Sequence, residues 1–427
     1  MKRQILFYAL VAVTLSVQGA ETESGIRLPD TVDLSTVLRV AREVSPRLEL
    51  ERQSIEQARA DRVTAGVYPN PTVTFGRAQQ GGGQSTVFSG SAQQDAAFEL
   101  PLLIAGQRGA RIERAEREIE AARARVNAGA STLAGEAGAA FVALLAAQEK
   151  AALLSASATD IARLRDIVAG REASGAASRY DVARLDVEMG SLRARLEEAR
   201  AEVVDRSGNL AALLGLPDWR PSAAGALAPM AFRGAAPIPP AERALSAPAS
   251  IAAAREQATA ESAVEVARRE RWPVPAVSVG RTWTNDPYGA ANRLGLTVEV
   301  PVFDTRRGPL ARAQADAHAA SLRRNLVTAE LAANMQRLDN VIGARRTALE
   351  RFEQDAGARL PALKQMAEDA YRLGRGSILE LLDATRSRYE LQQIRIDLTA
   401  ALAEAQVRLA ALSGDLDPQS RSASGTR

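Results

Sequence analysis

Tyr68-Pro69-Asn70-Pro71-Thr72-Val73-Thr74-Phe75-Gly76-Arg77 is answered 204 residues later by Trp272-Pro273-Val274-Pro275-Ala276-Val277-Ser278-Val279-Gly280-Arg281. In both copies an aromatic residue and two prolines precede a run of alternating character. Proline lacks an amide proton and its ring clashes with the preceding turn, so it ends a helix. Alternation with period two gives a strand one apolar and one polar face. Each copy therefore reads as a helix leaving into a strand.

Outward from this pair the correspondence continues. Phe98-Glu99-Leu100-Pro101 matches Val298-Glu299-Val300-Pro301. From Gly109 onward the offset settles at 199: Gly109 meets Gly308, Gly175 meets Gly374, Ser178 meets Ser377, Asp181 meets Glu380 and Gly215 meets Gly414. The chain is thus an internal duplication. The first repeat covers 21–215, with strands at about 70–80 and 92–101; the second covers 248–414, with strands at about 274–284 and 293–301. Each repeat reads helix, strand, loop, strand, long helix, turn, helix. Between them 216–247 is rich in Pro, Ala and Gly and reads as a linker, and the small, polar tail 415–427 is expected to be disordered.

The segment 109–171 contains no proline and is built from Ala, Leu, Glu and Arg, all strong helix formers. Sixty residues at 1.5 Å make a rod of about 90 Å. A second such rod is expected over 310–372, kinked at Pro361. Rods this long need neighbours along their whole length, as in a coiled coil or bundle.

Composition narrows the function classes. The 427 residues include no Cys and a single His, His318, which excludes disulfides, thiolate metal sites, Cys nucleophiles and an N-terminal lipid anchor on Cys. No nucleophile–base pair stands out, so no enzyme and no cofactor is expected. The 54 Lys and Arg are interspersed with 51 Asp and Glu, so no nucleic-acid patch is expected. Residues 1–20, MKRQILFYALVAVTLSVQGA, have the charged start, short apolar run and small-residue end of a secretory signal peptide, with a cut after Gly19 or Ala20. No later stretch approaches 18 apolar residues without charges, so no spanning helix is expected.

The strands then pose an arithmetic problem. Runs of 8–11 residues suit a transmembrane β-strand, but a closed membrane barrel needs at least about eight strands and lipid tolerates no open edge. One chain offers four. Either several chains share one barrel, three of them giving 12 strands, or two soluble hairpins pack on a helical bundle. The signal peptide and the rods favour the barrel.

The residues that now carry weight are Tyr68-Pro-Asn-Pro71, Pro101-Leu-Leu-Ile-Ala-Gly-Gln-Arg-Gly109, and Tyr371-Arg-Leu-Gly374-Arg-Gly-Ser377-Ile-Leu-Glu380-Leu-Leu-Asp383. With the duplicated layout, over about 34–414, they resemble the TolC-like outer-membrane efflux proteins, and within that family the CzcC-type heavy-metal branch. The resemblance implies a mostly α fold with a small β part. Long antiparallel helices of three chains would form an α-barrel tunnel through the periplasm, below a 12-stranded barrel in outer-membrane lipid. It implies a passive exit duct, working with a periplasmic adaptor and an inner-membrane pump of the resistance-nodulation-division type. A duct for drugs, solvents or secreted proteins, and a soluble periplasmic scaffold, are the alternatives.

It also implies roles. The turns at Gly175, Ser178, Gly374, Arg375, Gly376 and Ser377 would meet the adaptor. Glu380 and Asp383 would line a periplasmic gate, six carboxylates in a trimer, favouring cations. Tyr371 and Asp181 would latch the tip by a hydrogen bond. Glu99 and Glu299, on the polar strand faces, would line the barrel lumen, and Tyr68, Trp272, Trp283 and Tyr288 would form an aromatic girdle.

Overall fold

A computed structural model of the chain describes residues 28–79, 92–230, 238–284, 289–373 and 375–416. The expected signal segment 1–20, Gly374, Tyr288 and the tail from 417 lie outside the described residues.

A short strand, β1 (Thr31–Val32), leads into α1 (Leu34–Glu43) and α2 (Pro46–Ala65). Asp33 caps α1 by accepting from the Thr36 amide at 2.8 Å, and Pro46 starts α2, where a missing amide proton costs nothing. After β2 (Thr72–Gln79) and β3 (Ala92–Pro101) comes α3 (Gln107–Ala173), 67 residues and about 100 Å of continuous helix. Then follow α4 (Arg179–Leu214), β4 (Ser222–Ala223), α5 (Pro240–Ser246) and α6 (Pro248–Arg269). The second hairpin is β5 (Ala276–Thr284) and β6 (Ala290–Thr297). It is followed by α7 (Arg307–Asp355), α8 (Leu360–Arg372) and α9 (Ile378–Ser413).

The repeats are not equivalent along their rods. The expected kinked rod over 310–372 is instead broken outright: α7 stops at Asp355, a 3-10 turn occupies Gly357–Arg359, and α8 begins anew. Glycine lowers helix propensity there, and Pro361 in the first turn of α8 cannot donate to a preceding carbonyl. As expected, no 18-residue stretch of α3 is free of charged residues, although one 18-residue window is high in mean hydropathy, and 67% of it is buried against the rest of the chain.

That burial reflects close helix packing. Ala134 and Ala137 are inaccessible, and a methyl placed on Gly135 would lie 2.5 Å from the Ala411 Cβ of α9. Around Leu144, Phe141, Leu210 and Leu214 a core forms in which Trp219 is 6% exposed, its indole NH donating to the Pro29 carbonyl at 3.1 Å. Trp219 comes from the expected linker, which is therefore not a bare connector. Its β4 pairs in parallel with β1. Farther along, the Ala223, Leu227 and Met230 amides donate to Gln148, Glu149 and Gln406 on α3 and α9. Likewise Leu416, placed in the expected tail, is buried against Val407 and Ala410.

The four longer strands form one antiparallel sheet in the order β2-β3-β5-β6, so the two hairpins are joined through β3 and β5. The register aligns Val73, Phe98, Val279 and Leu294 in one row across all four strands. On the opposite face Thr72, Glu99, Ser278 and Gly295 align. Phe75 and Leu294, on the apolar face, are 79% and 78% exposed. Among the described residues, no further strand pairs with either outer edge, β2 or β6.

Candidate functional site

At the far end of the helices from the sheet, two turns reverse the chain. Gly175 closes α3 with φ of 75°, and no atom lies within 4 Å of where a Cβ would stand. Backbone conformation alone thus requires glycine. The Ala176 amide returns to the Arg171 carbonyl at 2.7 Å. In the second turn the Arg375 and Gly376 amides both donate to the Ala370 carbonyl, at 2.9 and 3.0 Å.

Each turn feeds a helix start built the same way. The Ser178 hydroxyl accepts from the Asp181 amide at 3.2 Å, and the Asp181 carboxylate accepts from the Ser178 amide at 3.1 Å. Ser377 and Glu380 repeat the arrangement at 3.2 and 3.1 Å. These are reciprocal capping boxes: each satisfies two amides that the first helical turn leaves without carbonyl partners.

The boxes decide what the acidic residues are free to do. Asp181 is held by its own turn, and among the described residues of this one chain no hydrogen bond joins it to Tyr371. Tyr371 instead lies under the Arg171 guanidinium, 5.1 Å from ring centroid to carbon. Arg171 also donates to the Tyr371 carbonyl at 3.2 Å. Arg171 thus joins the end of α3 to the end of α8. Its counterpart under the 199-residue offset is Ala370, so the duplication offered no pointer to it. Glu380 is exposed but engaged at its cap. Asp383, one turn further along α9, is exposed and has no ion-pair or hydrogen-bond partner among the described residues.

Beneath the turns Leu164, Val168, Leu185, Ile378, Leu381 and Leu382 pack α3, α4 and α9 together. Ion pairs flank this core: Arg165 to Asp186 at 3.0 Å, Arg386 to Glu188 at 2.9 Å and Arg388 to Asp160 at 3.5 Å. The first is exposed and contributes little to stability, and Glu188 in the second is half-buried; both tie the helices in register.

At the sheet, Glu99 stands on the polar face with Thr72 and Ser278. Glu299 does not join it, since β6 ends at Thr297, opposite Ala276. The segment before Ala276 contains Pro273 and Pro275, which offer no amide protons to extend the ladder. Aromatic residues mark both ends of the sheet. Tyr68 packs under Arg108 at 4.7 Å and, like Trp272, is exposed near the helices, while Trp283 is at the opposite end. His318 is exposed on α7, and no three potential metal ligands converge among the described residues.

Comparison with known proteins follows this geometry. Residues 37–216 match the family model described as outer membrane efflux protein. The cobalt-zinc-cadmium resistance protein CzcC of Cupriavidus metallidurans is 26% identical over 306 residues, 69% of this chain and 71% of that protein. The outer membrane protein VceC of Vibrio cholerae has a similar fold, with a TM-score of 0.71 over 90% of this chain and 97% of that one at 18% identity. CusC, a structure described in terms of transmembrane channel formation, gives 0.64 over 89% and 91% at 17% identity.

Proposed function

From the match of residues 37–216 to the outer membrane efflux protein model, we propose that this chain is a member of that family and that three copies assemble into the exit duct of a tripartite efflux system for heavy-metal cations. The observation that carries the reading is the four-stranded sheet, with one exposed apolar face and two edges unpaired among the described residues, set on a helical bundle whose longest helix, α3, runs about 100 Å. Neither edge is tolerated in lipid, so closure must come from other copies. Twelve strands then make one pore with the Thr72–Glu99–Ser278 face inward.

The resemblance in sequence to a cobalt-zinc-cadmium resistance protein supports divalent metal cations as cargo. The chain acts as a passive conduit, with an inner-membrane pump of the resistance-nodulation-division type supplying the energy. A periplasmic adaptor docks on the turns at 174–178 and 373–377. Near those turns Glu380 and Asp383 form the cation-favouring constriction. Arg171 and Tyr371 hold neighbouring hairpins together until the adaptor displaces them.

Planar-bilayer recording of the purified protein tests the duct. The expected result is a detergent-extracted trimer that conducts with a preference for cations. A detergent-independent monomer without conductance refutes it. Cells lacking the chain should also become sensitive to divalent heavy metals and not to hydrophobic drugs; the reverse pattern would reassign the cargo.

A further inference from the structure

The apolar face of the sheet is not uniform. The register places Arg77 opposite Gln94, and Gln94 opposite Trp283, at the end from which 80–91 and 285–288 depart. Arg281 stands on the same face two residues before Trp283 and holds its guanidinium 5.8 Å from the indole ring. Both arginines are exposed, and neither has a carboxylate at ion-pair distance among the described residues. Towards the helices this same face continues with Val73, Phe98, Val279 and Leu294.

An unpaired cation on a lipid-facing barrel surface is costly near the bilayer centre and nearly free at the interface. An arginine there extends its apolar stem along the wall and carries its head to the interface. Its planar fork matches phosphate oxygens bidentately. Two such groups on one face, Arg281 against the indole and Arg77 two strands away across Gln94, at the end carrying the strand connections, meet whatever headgroups fill the outward-facing leaflet. We propose that Arg77, Arg281 and Trp283 form a docking site for phosphorylated glycolipid headgroups of the outer leaflet, one per chain. The proposal rests on the barrel reading given above, since only that reading turns this face to lipid.

The test is titration of the full-length protein in nonionic detergent with lipopolysaccharide, read by tryptophan fluorescence and by native mass spectrometry. The double variant R77Q/R281Q is expected to bind roughly tenfold or more weakly, and R77K/R281K to retain most of the affinity. Equal binding by wild type and R77Q/R281Q overturns the site. So does an equal response to inorganic phosphate alone or to phosphatidylcholine. Conductance in phosphatidylcholine bilayers separates the two readings. Wild type and R77Q/R281Q should conduct equally; a silent wild type refutes the duct, whereas lost discrimination between lipids refutes only the site. Should R77Q/R281Q form no pore, R77Q and R281Q are titrated singly, each expected to bind more weakly than wild type, and unchanged affinity in both overturns the site.

Discussion

The Ser377 amide donates to the Glu380 carboxylate at 3.1 Å while the Ser377 hydroxyl accepts from the Glu380 amide. One of the two acidic residues at the proposed constriction is therefore partly occupied in starting its own helix. Asp383, three residues on, has no such engagement among the described residues. The two carboxylates are close in sequence but differ in how they are engaged within the chain.

From this inequality, Asp383→Asn should reduce cation preference more than Glu380→Gln. Reversal potentials in a salt gradient across a planar bilayer would show it. Ser377→Ala should instead lower the stability of the tip by about 1 kcal/mol, as loss of a cap does, with little change in selectivity. Equal selectivity in Asp383→Asn and wild type would remove Asp383 from the constriction.

Arg171 spans from α3 to the carbonyl and ring of Tyr371 on α8. Arg171→Gln should loosen this contact and raise open probability in single-channel records. Asp181→Asn, whose side chain still caps its turn, should leave it nearly unchanged. The opposite ranking would restore the Tyr371–Asp181 latch.

Val279 lies in the middle of the apolar row, and its neighbour Ser278 lies on the other face. If the row faces lipid, Val279→Arg should cost about 2–4 kcal/mol and block refolding into vesicles. Ser278→Arg should refold and alter conductance. Gel mobility of unheated against heated samples distinguishes the two.

Gly135 sits where any Cβ would meet the Ala411 Cβ at 2.5 Å. The obstacle is a methyl group fixed to the α9 backbone and cannot rotate away. Gly135→Ala should therefore cost about 1–3 kcal/mol by overpacking, outweighing its gain in helix propensity. Denaturant unfolding of the detergent-solubilised protein would measure the loss.

Hydrogen bonding from the Thr36 side chain, helped by its amide and the Ser35 hydroxyl, outweighs partial burial and holds the Asp33 carboxyl below its ordinary value. A depressed carboxyl stabilises the fold fully above the ordinary aspartate value of about 3.9 and loses that contribution as the pH falls through the lower folded value. Asp33→Ala should cost about 1 kcal/mol at neutral pH, and its difference from wild type should shrink at strongly acidic pH. A difference independent of pH would contradict this assignment.

Much of the architecture could be read from local pattern. The paired prolines ended α2 and α6 where expected, period-two alternation located β2, β3 and β5, and Gly175 with Ser178 marked a turn and a helix start. Such features depend on a residue's own backbone and its neighbours within about one turn. The Ser-x-x-Asp and Ser-x-x-Glu spacings are equally local, but the latch and gate readings pass over the capping partners they place beside Asp181 and Glu380.

What the amino-acid order determined by itself is the duplication, the strand faces and the helical turns, because periodicity, proline and glycine act over a few residues. Only the tertiary structure decided the rest. Within the chain it set Arg171 against Tyr371, ended β6 at Thr297 before Glu299, and drew Trp219 and Leu416 into the core. Each of these outcomes is a competition between groups distant in the chain, won by whichever donor, acceptor or apolar surface the packing brings within reach.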